Sequence, residues 1–143
     1  MDMMHFKFSE PEHGWMIITV GNSEKELSHD ISDVPCNSLE SLAIALSKLN
    51  KGSKYEKIEF SLEPEYAVWE FEVLEQELIL KISPDSSRDE NITFRGNKDI
   101  ILHRIYKGLR DLETYPFWKS TDLRDSKWSW EFPSKELNEF KVK

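Results

Sequence analysis

The chain has 143 residues, the size of one ordinary domain that buries roughly two-thirds of its unfolded surface and folds without covalent staples. Aromatic residues at 12% exclude disorder, charged residues at 32% exclude a membrane protein, and a single cysteine, Cys36, excludes an internal disulfide. A net charge of -8 disfavours contact with nucleic-acid phosphates or an anionic membrane surface, so the charge-compatible partner is a basic protein.

The opening Met-Asp-Met-Met-His-Phe-Lys lacks the apolar core and cleavage site of a secretory signal, and apolar runs such as Trp15 to Ile18 are far short of a membrane span. The expectation is a reducing, cytoplasmic compartment. Met4 to Phe8 and Trp15 to Val20 read as strands; a turn at Gly21-Asn22-Ser23 leads to a third from Lys25 to Ile31. Val34-Pro35 breaks the chain, and Asn37-Ser38-Leu39-Glu40 has the form of a capping box. Leu39, Leu42, Ala43, Leu46 and Leu49 then recur at helical spacing, with Gly52 as a left-handed stop.

Strand alternation follows at Ile58, Phe60 and Leu62, at Ala67, Trp69, Phe71 and Val73, and at Leu78, Leu80 and Ile82. With Pro64 and Glu65 as central turn residues, Leu62 faces Ala67, Phe60 faces Trp69 and Ile58 faces Phe71. With Glu75 and Gln76 as the next turn, Val73 faces Leu78, Phe71 faces Leu80 and Trp69 faces Ile82, on the same side. Two hairpins thus agree on one buried face, which a slip of one residue would turn to solvent. Pro84 to Asn91 reads as a polar loop and Asn91 to Arg95 as a short edge strand. A second helix is predicted from about Lys98 to Thr114, with Asn97 as cap, a stripe of Ile101, Ile105, Leu109 and Leu112, and Pro116 as its end. Beyond Phe117 a tail holds Trp118, Trp128, Trp130, Phe132 and Phe140 without a sustained period.

The predicted fold is a single α+β domain over residues 1–143. It has an antiparallel sheet of about five to six strands, two main helices packed on one face, the order β-β-β-α-β-β-β-α and an aromatic C-terminal tail.

From Ile58 to Leu80 seven glutamates occur, and the stretch holds no lysine or arginine. On the solvent side the register sets Lys57 against Glu72 and Glu70 against Lys81, with Glu59 beside Glu70. What stays uncompensated is Glu59, the turn pair Glu63 and Glu65, and the opposite turn pair Glu75 and Glu77, a candidate surface for a basic protein set against the plainer reading of a solvated face. Trp128 and Trp130 share one side of an extended Lys127 to Phe132 segment, where they either pack on the sheet or anchor a partner.

No spacing supports a cofactor, metal or catalytic motif. His5, His13, His29 and His103 lack metal-ligand spacing, though His5 and His29 fall on neighbouring strands. Cys36 precedes a helix N-terminus, where a thiolate is favoured, but Asp33 opposes it. The alternative to a binding protein is an enzyme or small-ligand protein with a pocket lined by Trp15, Trp69 or Trp118 and served by Cys36; another is a homodimeric structural or regulatory subunit.

The helix Leu39 to Leu49 feeding the strand Lys57 to Leu62, and then Glu63-Pro64-Glu65-Tyr66-Ala67-Val68-Trp69, resembles a pattern of small bacterial proteins in which a Glu-Pro turn precedes an aromatic residue and a tryptophan. Glu65 stands where that pattern often has glycine. Several such families are similar to immunity proteins of polymorphic toxin systems. The resemblance, over roughly residues 14–83, implies a cytoplasmic, non-enzymatic α+β domain that binds and neutralises a cognate toxin.

Overall fold

A computed structural model describes residues 4–119 and 127–141. The chain is α+β, with strands β1 (His5–Phe8), β2 (Trp15–Gly21) and β3 (Glu26–Ser32), helix α1 (Ser38–Asn50), strands β4 (Tyr55–Ser61), β5 (Tyr66–Leu74), β6 (Glu77–Ser83) and β7 (Ile92–Asn97), and helix α2 (Lys98–Glu113). A 3-10 turn, Pro116–Lys119, and a short helix α3 (Ser134–Asn138) complete it.

In place of the single sheet of five to six strands expected from sequence there are two antiparallel sheets, β1-β2-β3 and β4-β5-β6-β7. The division falls at α1, which separates β3 from β4 in sequence and packs against β4. The inner faces of the two sheets meet through aromatic rings: Phe6 lies 6.0 Å from Trp69, and His29 lies 6.4 Å from Phe60. Trp69, Phe60 and Phe71 are all fully buried there, each contributing on the order of 2 kcal/mol through burial.

The helices begin as their caps predict. The Asn37 side chain accepts from the Glu40 amide at 3.3 Å, and the Asn97 side chain accepts from the Ile100 amide at 3.1 Å. Each takes up one of the donors that a helix start leaves without a partner. The α1 stripe Leu39, Leu42, Ala43, Leu46 and Leu49 and the α2 stripe Ile101, Ile105, Leu109 and Leu112 are buried in one core. Helix α2 rests on β1 at Gly108, where a Cβ would stand 2.7 Å from the Phe6 carbonyl oxygen, so glycine sets the closeness of that contact.

The second hairpin has the register read from the sequence, with Val73 opposite Leu78, Phe71 opposite Leu80 and Trp69 opposite Ile82. The first is shifted by two residues: Phe60 faces Ala67, Ile58 faces Trp69, and Lys57 faces Glu70, not Glu72. The Leu62 amide donates to the Glu65 carbonyl at 2.7 Å, which makes Glu63 and Pro64 the central turn residues. Proline occupies the second central position, not the first that its usual preference suggests. Because the shift is an even number, the same side chains still face inward. The Val34-Pro35 and Glu63-Pro64 peptide bonds are both cis.

Among the described residues, no helix is long and apolar enough to cross a membrane.

Candidate functional site

The predicted acidic residues do not form one patch. Strand β5 has 9 residues, so the turns at its two ends lie about 27 Å apart. Glu63 and Glu65 are at one end, and Glu75 and Glu77 at the other. Between them the outer sheet face is mixed in charge. There Lys81 Nζ lies 3.9 Å from Glu70, the Tyr55 hydroxyl donates to the other Glu70 oxygen at 2.6 Å, and Lys57 sits opposite Glu70. The bond to Glu70 is also the main reason that the Tyr55 hydroxyl is harder to ionise than a free phenol. Glu59 is exposed opposite Val68, three residue pairs from the Leu62–Glu65 pair that closes the turn.

At the Glu75 end cations gather. Arg95 Nη1 is 3.7 Å from Glu77, the Lys98 amide donates to the Gln76 carbonyl at 2.8 Å, and Lys54 lines the same hollow as Glu75 and Glu77.

The Glu63 end is built differently. Ser86 ties the loop after β6 to the Glu63-Pro64 turn: its amide donates to the Tyr66 carbonyl at 2.8 Å, its hydroxyl accepts from the Tyr66 amide at 3.0 Å and donates to Glu65 at 2.9 Å. Two loops therefore stand side by side, carrying Glu63, Glu65, Asp85, Asp89 and Glu90 against one cation, Arg88, which lies 3.8 Å from Glu90. The Ser87 hydroxyl and amide donate to Asp85 at 2.7 and 2.9 Å, and these bonds, the hydroxyl first, hold its carboxyl below the usual range. Glu63 accepts from the Ser32 hydroxyl, which in turn accepts from the Val34 amide at 3.1 Å.

Those bonds bring an apolar element to the carboxylates. Val34, 45% exposed, lines a cleft of about 580 Å³ with Pro35, Ser61, Glu63, Pro64 and Tyr66. Apolar Val34, Pro35 and Pro64 with the Glu63 carboxylate at their edge give burial at the centre and charge at the rim, as a protein-contact surface has. The 84–91 loop, read from sequence as a polar loop, joins this end through Ser86. Extending the β5–β6 register beyond Val68 and Ser83 sets Ser86 opposite Glu65, so the signal was present in the hairpin.

The tail packs. Trp128 is 1% exposed, which removes it from any surface anchor, and Trp130 is half-buried with its indole N–H donating to the Asp33 carbonyl at 2.6 Å. The Asp33 carboxylate accepts from the Ser129 amide and hydroxyl at 2.8 and 2.7 Å, strapping the tail beside the Val34 loop. The three tryptophans expected to line a pocket are dispersed. Trp69 is in the core, Trp15 is 37% exposed on the outer side of the three-stranded sheet, and Trp118 stacks edge-on against Phe132 at 5.2 Å.

His5 and His29 point to opposite sides. His5 Nε2 is 2.8 Å from Glu26, whereas His29 is buried and accepts at Nε2 from the Trp69 indole at 3.1 Å. Burial pushes the His29 imidazole down to about 4, and the hydrogen bond requires its neutral form. Cys36 is half-buried, with its sulfur 3.8 Å from the Ser38 hydroxyl. Among the described residues no group of three or more His, Cys, Asp or Glu is arranged to hold a metal ion.

Comparison with protein-family models, with curated proteins and with solved structures returned no significant match.

Proposed function

We propose that this chain is a non-enzymatic binding domain that captures a basic protein at its acidic end, and that it serves as a cytoplasmic immunity protein against a cognate toxin. One observation carries the reading: the Ser86 bonds join the Glu63–Glu65 turn to the 84–91 loop, so that two segments holding five carboxylates and one arginine adjoin, with Glu63 at the edge of the Val34 and Pro64 cleft. Charge of one sign focused on a rim steers an oppositely charged partner and raises its association rate, while the exposed apolar floor supplies burial after contact. Glu59 lies on the outer face three residue pairs from the Glu63–Glu65 turn. Glu75 and Glu77, with Lys54 and Arg95 beside them, lie outside the acidic end.

The test is co-expression with the toxic domain encoded beside this chain, scoring growth and co-purification at low and high salt. Rescue, with a complex that salt weakens and that reversal of Glu63 and Glu65 disrupts, is the expected result. A complex indifferent to salt and to those two residues, or no rescue, contradicts it.

A further inference from the structure

A second cleft, of about 610 Å³, lies between the β2–β3 turn, strand β7 and the first turn of α2. One wall is the open edge of β7, which pairs with β6 on its other side. The ladder fixes which backbone groups face the cleft. The Lys25 ammonium donates to the Thr93 carbonyl, so that carbonyl points away from β6. The N–H and C=O of one strand residue point the same way, and the direction repeats at every second residue. Arg95 therefore turns both of its backbone groups toward the cleft.

The turn at Glu75-Gln76 gives an independent check. It makes Leu74 and Glu77 the hydrogen-bonded pair that closes a two-residue hairpin. Glu77, Ile79 and Lys81 then direct their backbone groups to β5, and their opposites Asn97, Arg95 and Thr93 face outward.

The side chains add a preference of charge and pattern. Lys25, Arg95 and Arg104 line the cleft together with one carboxylate, Glu24, in a protein whose net charge is -8, and Arg95 also lies 3.7 Å from Glu77 on the outer face. The Lys25 ammonium is held 5.0 Å above the Phe94 ring as well as at the Thr93 carbonyl. A lysine at an exposed edge guards it against indiscriminate pairing. Exposed Ile100, beside buried Phe94 and Ile101, supplies apolar surface to the cleft, while Arg95 stands on the outer side of the strand.

We propose that β7 accepts an acidic, extended peptide segment as a fifth strand. Its main chain bonds to Arg95, its inward side chains are apolar, and its carboxylates meet Lys25, Arg95 and Arg104. A second copy of this chain is the less compatible occupant, because it would set these cations against their own equivalents. The surface is distinct from the acidic end, so either can fail without the other.

The experiment is fluorescence anisotropy of the full chain with a dye-labelled, acetylated hexapeptide of alternating valine and glutamate. Its partner is the same peptide N-methylated on the amides of one strand edge. Saturable binding is expected, weakened about tenfold or more by N-methylation and by Arg95→Pro. Proline is tolerated there because that N–H lies outside the β6 ladder, and circular dichroism checks that the variant is folded. Absence of saturable binding, or equal affinity for the N-methylated peptide, overturns the proposal. So does a concentration-dependent dimer in sedimentation that the peptide fails to dissociate.

Discussion

The two ends of strand β5 begin from the same chemistry, a tight turn with two glutamates, and arrive at different surfaces. At one end Glu63 and Glu65 stand beside a loop whose sequence holds Asp85, Asp89 and Glu90; at the other Glu77 pairs with Arg95, and Lys54 lines the same hollow as Glu75. Their separation of about 27 Å exceeds the roughly 8 Å over which charges are felt at physiological salt, so each end answers to its own neighbours. Local composition is equal at the two turns. What differs is the segment that the topology delivers to each, and that decides which of them is a charged surface.

The largest expected effect separates the scaffold from these charges. His29 is buried neutral, with its imidazole pushed down to about 4, against roughly 6.5 in the unfolded chain. Between these values the unfolded chain holds a proton that the native one does not, so stability is full above about 6.5 and falls as pH drops toward 4. The loss approaches about 3 kcal/mol. Urea midpoints measured from pH 7 to pH 4 are expected to show it, and His29→Gln, which keeps an acceptor for Trp69 and removes the titration, to flatten it. If the slope survives in that variant, other groups cause it.

Charge reversal addresses the comparison itself. Glu63→Lys with Glu65→Lys is expected to weaken the basic partner about a hundredfold at low salt, and Glu75→Lys with Glu77→Lys about threefold or less. Equal losses, read by calorimetry, would erase the distinction between the ends. Ser86→Ala is a subtler probe, since it removes the hydroxyl shared by Glu65 and the Tyr66 amide. It is expected to cost about 1 kcal/mol in chemical denaturation and to loosen the acidic end alone. The smallest effect belongs to the outer face, where the Lys81–Glu70 pair at 3.9 Å is largely exposed. Lys81→Met should change stability by about 0.5 kcal/mol or less.

Much of this arrangement was legible in the sequence wherever a periodic pattern and a local cap pointed to one answer. Asn37 and Asn97 start the helices, the stripes they precede are buried, and the Glu75-Gln76 hairpin has the derived register. The first hairpin was misplaced by two residues because proline's preference for the first central turn position competes with the bond from the Leu62 amide to Glu65, and the bond wins. Alternation could not reveal this, since an even shift leaves the inward face unchanged. The division into two sheets was not legible either, because strand patterns identify faces and not which strand edges meet. At the site, Glu63 and Glu65 were named, but Asp85, Asp89 and Glu90 were passed over, since their place depends on a long-range contact through Ser86. Trp128 and Trp130 could not be divided between core and surface without the Asp33 strap.

The central claim is that this molecule concentrates uncompensated negative charge at one end of β5. Titration of the isotopically labelled chain with hexalysine at low salt tests it without any knowledge of the natural partner. The account predicts amide shifts confined to Glu63, Glu65 and the 84–91 loop and abolished by added salt, with Glu75, Gln76 and Glu77 nearly still. Shifts of equal size at both turns, or spread evenly over the surface, would contradict it.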